Sequence, residues 1–198
     1  MFSRQTKFSK KTLGILKSTR GIVYVNSKIQ VWKLCLGILP RYTSSTDYVW
    51  QQREEQYNES ERALVLTRKL SPSSCPEIRA TLVWLLETRR MRFDLAEQLQ
   101  EAWVQNFTCL IASLASLVED QAALYWIGRG LHTQLSLHLR DPWPLVDCLT
   151  QLLGEDPVVL EHISSLHILP SLPFSKLWGQ GLSQLFHPTL LPRLWDKV

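Results

Sequence analysis

The 198 residues are 45% hydrophobic and 20% charged, with only 8 glycines and 10 prolines. That length buries one core without disulfides or metals, and the composition excludes collagenous and disordered chains. The net charge of +4 is uneven: residues 1–46 carry nine Lys and Arg and no acid, so residues 47–198 carry −5.

Residues 1–27 read as a basic N-terminal arm, with Arg4, Lys7, Lys10, Lys11, Lys17 and Arg20. Such an arm suits plain solvation, peripheral contact with an anionic membrane surface, or a mitochondrial transit peptide, and no pattern chooses among them. Gly21 to Val25 has strand composition, but one strand cannot make a sheet. Gln51 to Arg62 reads as the solvated side of a helix. Ile78, Leu82, Leu85 and Leu86 share one helix face, preceded by Pro72 and Pro76, with Ser73 or Ser74 as the expected cap. Leu95, Leu99, Ala102, Trp103, Asn106, Leu110, Leu114, Leu117 and Val118 form a broad stripe that predicts one long buried helix. Leu124, Trp126, Ile127, Leu131, Leu135 and Leu139 keep the same period until Asp141-Pro142-Trp143-Pro144, where two prolines force a turn.

Beyond the turn, Leu145 to Leu153 predict a short helix closed by Gly154. Another, holding Val158, Val159, His162, Ile163 and Leu166, begins at Pro157. After Pro170 and Pro173, two last amphipathic pieces hold Leu177, Trp178, Leu182, Leu185 and Phe186, then Leu190, Leu191, Leu194 and Trp195. The expected architecture is a single irregular all-α domain of about eight to ten helices. Its longest charge-free apolar run, Val104 to Val118, is shorter than the ~18 residues a membrane-spanning helix needs.

Chemistry-bearing patterns are sparse. Cys35, Cys75, Cys109 and Cys148 are isolated and read as small core residues in a reducing compartment. His132 and His138 are six apart and His162 and His167 five apart, which excludes two ligands on one helix face, so no metal is expected. Gly128-x-Gly130 and Gly179-x-Gly181 lack the strand and third glycine of a phosphate cradle, so no cofactor is expected either. Eight tryptophans, not interleaved with Lys or Arg, read as core and interface anchors rather than a platform for bases, so nucleic acid is not an expected partner. The sequons at Asn58 and Asn106 carry no weight without a secretory signal.

One segment is specific. Val31-Trp32-Lys33-Leu34-Cys35-Leu36-Gly37-Ile38-Leu39-Pro40 resembles the first motif of the TBC domain, the all-α fold of GTPase-activating proteins for Rab GTPases. Lys28 stands four residues before Trp32, where that family usually has Arg. Leu191-Pro192-Arg193-Leu194-Trp195-Asp196 resembles its R-x-W-D segment. Val118-Glu119-Asp120, Tyr125-Trp126-Ile127, Arg140-Asp141 and Leu172-Pro173 with Trp178 are similar to one member in particular. The resemblance spans about residues 28–198 and implies an irregular multi-helix TBC domain lacking its last C-terminal helices. It implies a structural role for Lys28, Trp32, Leu36, Gly37, Trp126, Arg193, Trp195 and Asp196. A shortened lobe would leave Leu190, Leu191 and Leu194 in water, with low stability and a tendency to associate.

Catalytic members use an Arg finger in I-x-x-D-x-x-R and a Gln finger in Y-x-Q. The Arg neutralises charge on the transferred phosphoryl group and the Gln orients water, the Arg being worth ~10³–10⁵ in rate. In this sequence no Asp has Arg three residues later and no Tyr has Gln two later; Glu59 to Arg62 and Glu87 to Arg90 keep the first spacing only. The similar member lacks both fingers and is the third subunit of the tuberous sclerosis complex. The resemblance therefore implies a non-catalytic subunit that binds the hamartin coiled coil and, through it, tuberin, which acts on Rheb and restrains mTOR signalling. A cytoplasmic protein recruited to lysosomal or vesicle membranes through partners is implied with it. Docking a helix needs an exposed apolar stripe, for which the faces at 78–86 and 110–118 are candidates, although each reads first as core. The alternative is a direct GTPase activator for a Rab, with Arg62 or Arg90 as its finger.

Overall fold

The computed structural model describes residues 22–138, 147, 150–151, 154–167, 173–187 and 190–196. These form α1 (Ile22–Cys35), a 3-10 turn η1 (Thr43–Ser45), α2 (Thr46–Leu66), α3 (Pro76–Glu87), α4 (Leu95–Gln98), α5 (Ala102–Ala115), α6 (Gln121–His138), α7 (Pro157–Ser165), α8 (Phe174–Gly179) and α9 (Leu191–Trp195). No strand occurs among the described residues, and no helix there is long and apolar enough to cross a membrane.

The core lies where α3, α5 and α6 meet, with α2 packed against them. Ala80, Val83, Leu85, Val104, Phe107, Leu110, Ile111, Leu114, Leu124 and Ile127 are wholly buried. Burying each Leu, Ile or Phe is worth ~1.5–3 kcal/mol, so this cluster dominates the fold's stability. Phe107 stacks on Trp84 with ring centroids 4.3 Å apart, and Trp103 lies 5.4 Å from Trp84. The helices approach closely at Gly128, where an added Cβ would lie 2.1 Å from Ile111 Cδ1. At Gly130 it would lie 3.0 Å from Leu36 Cβ. The Gly128/Gly130 pair thus serves packing on both sides of α6.

Several expectations are corrected. The strand-like residues after Gly21 are helical: Ile22 to Val25 open α1. β-propensity spans only ~1 kcal/mol, and with no partner strand among the described residues the helix is what satisfies this backbone. The long helix expected from Leu95 to Val118 is two helices. Gln98 is buried, donates from Nε2 to the Arg90 carbonyl at 2.7 Å and accepts the Arg92 amide on Oε1 at 2.9 Å. It binds α4 to the preceding loop, and Glu101 is extended (φ −65°, ψ 136°) before α5 starts. The apolar period ran through this break because both helices pack on one core.

Neither Ser73 nor Ser74 caps α3. Extended Cys75 precedes it and Pro76 takes its first turn, where a missing N–H costs nothing. Cys35 and Cys75 are exposed and Cys109 half-buried, so the first two are not core residues: one ends α1 and the other stands just before α3. α7 begins at Pro157 as expected, with Asp156 Oδ1 accepting the Val159 amide at 3.2 Å. α8 stops at Gly179, and Gly181 (φ +62°) and Leu182 (φ +60°) turn the chain, so Leu182, Leu185 and Phe186 do not extend it. Leu191 is wholly buried rather than in water, and Leu194 is half-buried; Leu190 is exposed. Leu139 to Val146, Cys148, Leu149, Leu152, Leu153 and Leu172 lie outside the described residues, as do Lys and Arg of the arm up to Arg20.

Candidate functional site

The motif residues at the two ends of the resemblance meet. Asp196, after α9, accepts the Trp32 indole N–H on Oδ1 at 3.0 Å and pairs through Oδ2 with Lys28 Nζ at 2.8 Å. Trp32 and Trp195 pack edge to face, centroids 6.1 Å apart, and the Trp195 N–H donates to the Gly181 carbonyl at 2.8 Å. Lys28 and Trp32 are one helical turn apart on α1, so the ammonium also lies 5.8 Å from the Trp32 ring. Leu36 and Gly37 form the turn that follows that helix. Gly37 has φ +70°, and the Ile38 and Leu39 amides both return to the Lys33 carbonyl, at 2.9 and 3.0 Å. A side chain at Gly37 would be strained in this left-handed conformation. Arg193 is exposed on α9 and does not join the cluster.

Trp126 organises a second cluster on α6. Its indole N–H donates to the Arg53 carbonyl of α2 at 2.9 Å, and the Arg53 and Arg129 guanidiniums lie 4.4 and 5.2 Å from its rings. Arg129 Nη1 donates to the Tyr125 hydroxyl at 3.1 Å and is 3.8 Å from Glu87 Oε2. Glu87 in turn accepts from Gln56 Nε2 at 2.7 Å and Ser60 Oγ at 2.5 Å, tying α3 to α2. Burial pushes the Tyr125 hydroxyl up to about 12 despite the nearby Arg129, so it stays protonated.

Nothing in this geometry activates a nucleophile. Among the described residues no three His, Cys, Asp or Glu side chains converge in a metal-binding group. His132 is packed against Trp84 and Phe107, centroids 5.1 and 5.3 Å away, and burial, aided by Arg90, holds its imidazole down at about 4. The two candidate docking faces are core: Leu82 and Leu85 in one and Leu110, Leu114 and Val118 in the other are at most 3% exposed.

No family model matches the chain. It is 31% identical over 171 residues to TBC1 domain family member 7 of Homo sapiens, a match covering 85% of this chain and 58% of that protein. The same-named proteins of Bos taurus and Danio rerio are 29% and 28% identical over 170 and 174 residues. The chain is a relative of the TBC domain family. It spans 58% of the length of the first of these curated relatives.

The Lys28–Trp32–Asp196 cluster thus joins the two segments that carry the TBC resemblance, with Trp32 and Trp195 packed together. The residues weighed as fingers lie apart from that cluster. Arg62 is exposed on α2. Arg90, in the loop after α3, holds its guanidinium 5.6 Å from the Trp103 ring. Beside it, Trp103-Val104-Gln105 keeps the Y-x-Q spacing with a different aromatic. Gln105 Nε2 donates to the Leu99 carbonyl at 2.5 Å, which turns its amide back onto its own chain.

Proposed function

We propose that this chain is a non-catalytic TBC-domain subunit that binds the hamartin coiled coil in the tuberous sclerosis GTPase-activating complex. Tuberin acts on Rheb there, and the subunit supports that activation and the restraint of mTOR signalling. Recruitment to lysosomal or vesicle membranes then passes through the partners. The observation carrying this reading is a split between scaffold and chemistry. Trp32, Trp195 and Asp196 are locked together, whereas the 198 residues hold neither I-x-x-D-x-x-R nor Y-x-Q. Without an Arg finger the lost rate factor is ~10³–10⁵, so the domain's use lies in holding another protein. The test is co-purification with the hamartin coiled coil, followed by GTP hydrolysis with a Rab panel on the same sample. A stable complex with no intrinsic stimulation supports the reading; stimulation without a complex sinks it.

The contact of Arg90 with Trp103 favours a second reading, direct activation of a Rab with Arg90 and Gln105 as fingers. It requires Gln105 to release the Leu99 carbonyl. Any Rab stimulation should then fall at least ~10³-fold in Arg90→Ala. If it falls in Arg62→Ala instead, this pair is not the site.

A further inference from the structure

Arg53 and Arg129 line one open cavity of about 260 Å³ with Trp126, Gly37, Thr133 and Gln134, and no carboxylate reaches its wall. The half-buried Arg53 guanidinium makes no hydrogen bond or ion pair among the described residues; the Trp126 ring alone holds it. Its five N–H donors therefore have no protein acceptor among the described residues and are open to a ligand. Arg129 is only part-neutralised, because Glu87 stands 3.8 Å away and also serves Gln56 and Ser60. Arg53 also lines a neighbouring cleft with Glu55 and Glu59, neither of which pairs with it, and a single carboxylate would match only one of the two arginines on the cavity wall. A phosphoryl group brings close to two negative charges and three acceptor oxygens, enough for both forks.

We propose that this cavity is a phosphoryl-binding site, taking the phosphate of a soluble monoester or of a lipid headgroup. The stacked guanidinium is pre-organised, so little side-chain entropy is lost when the anion arrives. Occupation would also link α2 to α6 and to the turn at Gly37.

The test is calorimetric titration of the full chain with inorganic phosphate, against sodium chloride at matched ionic strength. Phosphate should bind above the chloride background. Arg53→Gln should weaken it at least about tenfold, and the exposed Arg41→Gln should leave it unchanged. Because Arg53 also stacks on Trp126, Gln134→Glu is the companion variant: it places a carboxylate at the exposed rim and should weaken phosphate similarly while leaving the stack intact. In a second arm, phosphatidylcholine vesicles with and without a phosphoinositide separate the sources. Preferential capture lost in Gln134→Glu assigns the headgroup; phosphate binding without capture assigns the soluble monoester. No binding above chloride, or equal binding by the unaltered chain and Gln134→Glu, overturns the proposal.

Discussion

Asp196 reaches Trp32 across 164 positions of sequence, so one carboxylate ties the end of the TBC resemblance to its start. Its side chain is 38% exposed, and solvent screens the pair with Lys28, so the hydrogen bond to the indole carries more of its value. Asp196→Ala should cost about 1–2 kcal/mol in urea unfolding, and a Lys28→Ala, Asp196→Ala cycle should show coupling of about 1 kcal/mol or less. A larger coupling would mean that the charge pair, not the indole bond, holds the ends together. His132 gives a pH dependence with a definite sign. The unfolded chain takes up its proton near 6.5, whereas the folded one waits until about 4. Stability contributed by the neutral imidazole is complete above pH 6.5 and is lost as pH falls towards 4, by at most about 3 kcal/mol. Urea midpoints at pH 7 and 4.5 should differ less in His132→Leu than in the unaltered chain.

At the scale of elements, the break between α4 and α5 rests on one buried amide. Gln98→Ala removes both bonds to the Arg90–Arg92 loop and leaves a carbonyl and an amide unpaired. The expected loss is about 1–3 kcal/mol, with faster amide exchange in residues 90–101 as its local sign. If exchange there is unchanged, the loop is held by something else. Phe107→Ala, within α5, should cost about 3–5 kcal/mol, because its ring is wholly buried against Trp84. α7 shows the opposite case: no residue in it is buried, and Val158 is 77% exposed. Its start was legible from Pro157, which acts locally; that none of its residues is buried was not, since periodicity reports which side is apolar and not what covers it.

For the whole molecule, the same helices that make a TBC-type fold bury both stripes considered as docking faces. The proposed helical partner would therefore need another surface, and charge substitutions at Leu82 or Leu110 should unfold the domain rather than release a partner selectively. Thermal denaturation beside the co-purification distinguishes the two outcomes: a variant that keeps its melting transition but loses the partner would show that these faces are not only core. The all-α architecture was readable because apolar residues recur at helical spacing through most of the chain.

What the sequence determined by itself was local or compositional: helical periodicity, proline boundaries, the asymmetric charge, the motif residues around Trp32 and Trp195, and the missing Asp-to-Arg and Tyr-to-Gln spacings. The tertiary structure decided which residues distant in sequence share a place. It joined Lys28 and Trp32 to Asp196, left Arg193 outside that cluster, set Arg90 beside Trp103, and gathered Arg53 and Arg129 around Trp126. The physical reason is that period and composition describe one segment against an unspecified core. The partner of a buried indole or guanidinium is chosen only when helices far apart in the chain pack together.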